Sequence, residues 1–533
     1  MFGAGDVMSF TVSVNKQIED FKKFISKYKI PIIYSFIFSL ICFGFMLTNH
    51  SLTIDEETWI NGNNLGGIKL WLMQGRFGIF LLDKIISPSG TYVPFLWDFL
   101  SILIWHFSGV CFLYCISTIY PKFSKFSFFT FCAYFSSLPL VVGELLSYSM
   151  FNLQQSLGML FMAISTFFIY NYFNTNKKKH IVASSIFLFT ATSIYQSFSV
   201  IYIIVIVSYA LIYILKSDCV NIKKIITKII KSILAFWAGV SLYYIINKFI
   251  TTYIAPDSGN YLSGYIGWDK GKSNIHVLLT TFHYIEKILL GDSAVYGGRV
   301  LLVITVLFSM YSIFSFINAK KAYNKFMICI LSIMLLVCPF ILSIILGTSG
   351  IDGRTYVSLP LAGAIELFLI INETSKIKIA RQVVIIAVIC ILFLNSMYMN
   401  RLFYDSFVVY QYDTNIGNEI IHDIGTYGYD YKNTPIVFIG MHDINRKIIS
   451  SSGSTGGSFF SWDDGNNVRI TNFLKSKGYS VIMPATDQIK AAYNSSKGLQ
   501  NWPNRNSIKK IQNCIIVKLS DPSQTWMSVN GVK

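Results

Sequence analysis

The chain of 533 residues is 53% hydrophobic and 16% aromatic but only 13% charged, against roughly 25% charged residues in soluble domains, which excludes an ordinary soluble globule. A net charge of +17 would suit nucleic acid if it formed one basic surface, but the lysines fall in short segments between apolar runs, the pattern of a chain that crosses a membrane repeatedly. Nine cysteines, most in or beside apolar runs and none in a C-x-x-C pair, indicate neither a disulfide framework nor a zinc site.

Residues 1–30 are expected to form a cytoplasmic unit. Over 14–29, Ile18, Phe21, Phe24, Ile25 and Tyr28 share one helical face while Lys16, Lys22, Lys23, Lys27 and Lys29 lie largely elsewhere. That pattern suits an interfacial amphipathic helix on an anionic leaflet, or equally a plain basic flank. The apolar run that starts at Pro31 lacks an obvious small-residue cleavage site, so it reads as a retained span rather than a signal peptide.

Residues 31–399 are expected to be a multi-span membrane domain of about eleven transmembrane helices, near 31–48, 94–119, 126–142, 151–171, 181–195, 197–215, 232–252, 298–317, 326–347, 359–374 and 382–399. The stretch 181–215, around "SIYQS", fits either two spans or a re-entrant element. Lys122, Lys125, Lys177, Lys178, Lys179, Lys320, Lys321 and Lys325 then fall on the side of the N-terminus, whereas the turns near 143–150 and 195–197 hold no Lys or Arg. This bias places the N-terminus in the cytoplasm and loops 49–93, 253–297 and 348–358 outside. Residues 400–533 change character: short apolar runs at 435–440, 480–484 and 514–519 alternate with helical patterns such as "VRITNFLKSKGY", as in a small extracytoplasmic α/β domain.

The loop after the first span holds "TIDEETWINGN", with Asp55, Glu56 and Glu57 side by side. Residues 65–86 follow with an apolar stripe and with Lys69, Arg76 and Asp83 at seven-residue intervals, nearly one face of an amphipathic helix. Such a helix in the membrane plane suits a lipid phosphate, or is a surface helix with solvated charges. Transfer of a sugar from a lipid-phosphate donor needs a base for the acceptor hydroxyl, and cations for the charge that develops on the departing phosphate. The external segments hold both, with Arg76, Arg299 in "YGGR" and Arg354 in "GIDGRTY" as arginines suited to bidentate phosphate contact.

Tyr195 and Gln196 in "SIYQS" sit at an external turn, where the amide can meet sugar hydroxyls or cap two helices. Trp59, Trp71, Trp268 and Trp462 suit sugar stacking or an interfacial belt. Asp98, His106, Glu144 and Glu366 fall in or beside apolar runs, where function and interhelical hydrogen bonding are the two readings. There is no P-loop and no G-x-G-x-x-G, and no cytoplasmic segment is large enough for a nucleotide sugar, which favours a lipid-linked donor. No cofactor is expected and no metal is expected to be required, although an acidic cluster beside a phosphate can take a divalent cation.

The run "NHSLTIDEETWINGNNLGGIKLWLMQGRFGIFLL", with "SIYQS", "GRTYVSLP", and the tail segments "IVFIG", "SFFSW" and "NWPNRNSI", resembles the serotype-converting O-antigen glucosyltransferases, multi-span enzymes of the GT-C class. The resemblance implies a bacterial plasma-membrane transferase that moves glucose or a similar hexose from undecaprenyl phosphate to a polysaccharide or lipid-linked acceptor at the outer face. It also implies that an acidic motif in the first external loop carries catalysis. Asp55 and Glu56 stand where the family commonly has paired aspartates, and Gly75-Arg76-Phe77 where it has Gly-Arg-Trp. The base therefore stays open between Asp55, Glu56 and Glu57. The expected partners are the lipid-linked sugar donor, the acceptor and membrane lipids, with no nucleic acid. The rivals are a lipid-linked sugar flippase, with Glu366, Asp98 and His106 lining a pathway, and a polysaccharide polymerase or ligase.

Overall fold

The structure, a computed structural model, describes residues 4–61, 70–87, 91–216, 222–256, 263–268, 271–291, 298–347, 352–374, 378–444 and 457–533. Its membrane part is helical: α1 (Ala4–Thr48), α2 (Glu56–Ile60), α3 (Phe77–Ile86), α4 (Pro94–Ser117) and α5 (Lys125–Phe135) come first. A π-helical turn, Pro139–Gly143, leads into α6 (Glu144–Leu146). Then follow α7 (Asn152–Thr175), α8 (Lys178–Ile194), α9 (Phe198–Lys216), α10 (Ile222–Tyr253), α11 (Asn274–Leu290), α12 (Gly298–Asn318), α13 (Ala322–Val337), α14 (Ile341–Leu346), α15 (Leu359–Thr374) and α16 (Lys378–Thr426).

Among the described residues eight helices are long and apolar enough to cross a membrane, or nine if the pair Lys125–Phe135 and Pro139–Leu146, bent by 42°, is one span. The chain is a polytopic membrane protein. Helices α8 and α15 coincide with two further expected spans but have only 17 and 16 residues, short of the roughly 20 that cross a hydrocarbon layer upright. The stretch around "SIYQS" is two helices, α8 and α9, joined by a three-residue turn. Ile33, Tyr34, Ile245, Met310, Ile386 and Phe393 are more than half exposed, as apolar side chains facing lipid must be. The interior is aromatic and aliphatic, with Trp105, Phe128, Phe131, Phe135, Tyr202 and Phe368 fully buried.

The N-terminal segment is continuous with the first span, broken only at Tyr28 (φ −110°, ψ 17°) ahead of Pro31, whose ring lacks the N–H that would bond Lys27. Phe21 and Phe24 pack edge-on against Tyr114, and Tyr28 stacks on Phe123 and Phe128, so this apolar face meets the bundle. The amphipathic helix expected over 65–86 is interrupted. Residues 70–73 are helical, and then the Gly75 amide bonds to the Leu72 carbonyl and the Arg76 amide to the Trp71 carbonyl (3.1 and 2.8 Å). With Gly75 at φ +71° these two bonds are a Schellman cap. Arg76 thus stands at the N-cap of a new helix, α3, which also carries Asp83; Lys69, the remaining residue of the expected seven-residue alignment, lies outside the described residues.

Helix α16 continues to Thr426, well past the expected domain start at 400, and carries the C-terminal α/β unit: β1 (Ile436–Ile439), α17 (Asn467–Ser476), α18 (Thr486–Ser495), β2 (Ile508–Lys510), β3 (Ile515–Lys518) and α19 (Gln524–Val529). The sheet order is β1-β3-β2, with β1 parallel and β2 antiparallel to β3. The strand expected at 480–484 is irregular, and Ile508–Lys510 takes the edge position instead. Alternate strand residues divide two cores. Ile436 and Phe438 face Ile420, Phe473 and, from the loop after α1, Leu52 and Ile54; Val437 and Ile439 face Ile489 and Trp526.

Candidate active site

Asp55 begins α2 at φ +87°, the left-handed region that short polar side chains enter most readily. Its carboxylate makes no cap bond to its own helix and is 55% exposed, with Oδ1 2.8 Å from Nη1 of Arg469. Glu56 and Glu57 are fully buried. Glu56 Oε2 accepts the Thr53 amide at 2.9 Å and Oε1 the Met150 amide at 3.1 Å, so one carboxylate ties this loop to the turn before α7. Burial lifts its pKa to about 8; the Thr53 amide opposes the rise and Asp98 adds to it. Glu57 Oε1 accepts Arg469 Nη1 at 3.0 Å, and its Oε2 is buried without a hydrogen-bond partner. Burial raises Glu57 to about 7, with Arg469 pulling down and Asp55 pushing up. Three adjacent carboxylates therefore occupy three environments.

From this turn an aromatic wall runs to both arginines. Trp59 lies 6.3 Å from Trp71, which meets Phe151 edge-on at 5.5 Å; Phe151 stacks on Tyr148 at 5.1 Å. The Arg354 guanidinium sits 5.0 Å over the Tyr148 ring. Arg76 lies 5.9 Å over Trp71 and 4.9 Å over Tyr195, and the Tyr195 hydroxyl is 3.4 Å from Thr355 Oγ1, beside Arg354.

The two guanidiniums differ in what holds them. Arg354 donates from Nη1 to Glu144 Oε1 (3.1 Å) and Tyr148 (2.6 Å), pairs through Nη2 with Asp352 (2.5 Å), and its amide bonds to Glu144 Oε2. Arg76 rests on aromatic faces, and its Nε is buried with no hydrogen-bond partner. An arginine in that state retains its capacity for an anion. Gln196 donates from Nε2 to the Gln74 carbonyl (2.8 Å) and Tyr243 (3.0 Å), and Tyr243 in turn donates to the Gly75 carbonyl; its amide fastens the break that presents Arg76. Asp83 accepts from the Gln154 amide through Oδ1, and burial raises its pKa to about 7.

Of the other expected residues, Asp98 bears on this group through Glu56. Arg299 is exposed on the first turn of α12, and Lys69 lies outside the described residues. Asp98 accepts from Asn152 Nδ2 at 2.6 Å, and His106 sits among the hydroxyls of Ser35, Ser39 and Ser136 at 3.4–3.5 Å, which is interhelical hydrogen bonding. Among the described residues no three His, Cys, Asp or Glu side chains are grouped to hold a metal ion.

Sequence reasoning did not find Arg469, Tyr148 or Phe151. The turn at 143–150, without Lys or Arg, marked the neighbourhood of the two aromatics, but nothing local marked Arg469, 414 residues from Asp55. It sits in α17, and its Nε bonds Asp463 at 3.0 Å. Around it Asn61 donates to the Asn472 carbonyl (2.7 Å) and Asn472 to Thr58 (3.3 Å).

The first loop of an apolar bundle thus gathers acidic residues, an arginine with an unsatisfied Nε and an aromatic wall into one candidate site. The sequence matches the glucosyl transferase GtrII family over residues 44–372, from the end of α1 through α15. The chain belongs to that family and is a glycosyltransferase. No curated protein and no solved structure gives a match. The matched region holds the acidic turn, Arg76, Tyr195 and Arg354, whereas Arg469 and the C-terminal domain lie beyond it.

Proposed function

We propose that this GT-C-like enzyme moves glucose from a polyprenyl-phosphate donor to a cell-surface polysaccharide at the outer face of the bacterial plasma membrane. The observation that carries the donor class is Arg76: a guanidinium on an aromatic wall, at a helix N-terminus, with its Nε unsatisfied. It faces the phosphate. The field at the start of α3 favours the same charge.

Asp55 is the base, because it is the one carboxylate of the three that solvent and an acceptor can reach. As the acceptor oxygen bonds to the anomeric carbon, its proton passes to Asp55, the bond from that carbon to the phosphate oxygen breaks, and the polyprenyl phosphate leaves with the electron pair. Arg76 stabilises the charge that gathers on it, Arg354 holds Tyr148 in the wall while its neighbour Thr355 meets Tyr195, and Glu56 and Glu57 set the turn that aims Asp55. The prenyl chain lies along the apolar helices.

Purified protein given radiolabelled polyprenyl-phosphate glucose and cell-envelope polysaccharide is expected to transfer label. Asp55→Asn lowers kcat by about 10²–10⁴-fold with donor binding kept. Arg76→Ala weakens donor binding and turnover together, by about 2–4 kcal/mol of transition-state stabilisation. Wild-type turnover by Asp55→Asn would remove the base assignment, and an unchanged donor affinity in Arg76→Ala would remove the phosphate site.

A further inference from the structure

We propose that Arg469, in the C-terminal domain, is a positioning residue for the transfer, holding the Asp55 carboxylate in its productive orientation by bridging it to Glu57. This rests on the reading of Asp55 as the base. Asp55 has left-handed backbone geometry and no side-chain bond to its own helix, so nothing on α2 fixes its rotamer. The bond from Arg469 does, at 2.8 Å, and the same Nη1 reaches Glu57 at 3.0 Å.

The guanidinium is itself oriented. Its Nε is anchored on Asp463 at 3.0 Å, and the planar fork transmits that anchor to Nη1. Packing brings the parts together. Leu52 and Ile54, just before the acidic turn, are buried in the core of the C-terminal domain with Ile420, Phe438 and Phe473, while Asn61 and Asn472 join α2 to α17. The acidic centre is thus shared between the membrane bundle and the domain above the bundle, and the family-matched region alone does not contain it.

The charged groups facing this centre are Asp55 and Glu57 on α2, Arg469 and Asp463 from the C-terminal domain, and Asp98 from α4, which acts through Glu56. Removing the cation between Asp55 and Glu57 leaves two carboxylates repelling across a partly dry site, and the cluster then holds its last proton to higher pH. An arginine that served only the fold, away from the carboxylate on which turnover depends, would not move that titration.

The test is the pH dependence of turnover in the full-length protein, with radiolabelled polyprenyl-phosphate glucose and cell-envelope polysaccharide. Arg469→Gln is expected to lower kcat about tenfold, leave the donor KM within about twofold, and move the acid limb of the profile up by about one pH unit. Arg469→Lys keeps the charge but loses the Nε anchor, so its acid limb stays at the wild-type position while kcat falls between the two. A wild-type kcat and acid limb in Arg469→Gln overturns the proposal, and so does a loss of kcat with an unmoved limb. If Arg469→Gln gives no folded protein by size exclusion, Arg469→Lys decides: a full wild-type kcat overturns the proposal and an intermediate one supports it. Asp55→Asn run alongside separates the two readings. If it is active the base assignment fails; if it is inactive while the Arg469 variants behave as wild type, only the positioning role fails.

Discussion

At the scale of single residues, Glu56 shows how a buried carboxylate can serve structure beside the proposed base. It accepts two backbone amides, from Thr53 and from Met150, the latter 94 residues along the chain from it, and the Glu56→Gln side chain can accept only one while opposing the other with its own N–H. Leaving a buried donor unsatisfied costs about 1–3 kcal/mol, so Glu56→Gln is expected to melt earlier at pH 5. The pH dependence has a definite sign. The folded pKa of Glu56, about 8, lies above the ordinary 4.5, so the native state holds a proton that the unfolded chain has released. The stability from that proton is complete below about pH 4.5 and is lost as pH rises through about 8. Glu57 and Asp83, both raised to about 7, act in the same direction. Thermal unfolding in detergent at pH 5, 6.5 and 8 should show the wild-type melting temperature falling with pH, and falling less in Glu56→Gln. A wild-type curve that rises with pH contradicts this account of burial.

At the scale of elements, the helix break at residues 74–76 matters most. Gly75 ends one helix and Arg76 starts the next, while Gly78 lets α3 lie against α8: a Cβ there would meet Ser193 Oγ at 2.4 Å and the Ile194 amide nitrogen at 2.8 Å. The second neighbour is backbone and cannot swing aside. Gly78→Ala is therefore expected to destabilise by about 1–3 kcal/mol. By prising Arg76 from Tyr195 it should also lower turnover by about 10²-fold, the order that a 1 Å misplacement costs, with donor KM raised. Kinetics unchanged from wild type would show that the α3–α8 contact does not set the site.

What was legible in the sequence follows from which forces are local. The acidic triplet, Arg76 and "SIYQS" were readable as a set because polar groups beside apolar runs need a reason, and the structure joins Arg76 to Tyr195 and Gln196 to the Gln74 carbonyl. The break within 65–86 was hidden because the apolar stripe continues across it, and only the positive φ of Gly75 separates the halves. The apolar run at 480–484 shares the apolar character of β1 and β3, but strand pairing is a tertiary choice: β3 pairs with β1 and with β2, which reaches it through the short return from Lys510 to Ile515, while 480–484 stays irregular and adds Val481 to the core. Arg469 needed the tertiary fold.

At the scale of the whole molecule, α16 joins the two halves. Its 49 residues span about 74 Å at 1.5 Å per residue, more than twice the roughly 30 Å hydrocarbon layer. Its last turns, Ile416, Ile420 and Ile424, are buried in the C-terminal core, and Asp413 holds the Ser458 hydroxyl and Phe459 amide at 2.7 and 2.6 Å. The helix is a mast set in the membrane. Each added residue on such a mast turns whatever it carries by about 100° and lifts it 1.5 Å. One alanine inserted after Asn400 should therefore swing Arg469 off the acidic turn and abolish transfer, whereas the same insertion at the exposed turn after Gly428 should leave it largely intact. Residues far out of reach of any substrate thus govern turnover by keeping angular register.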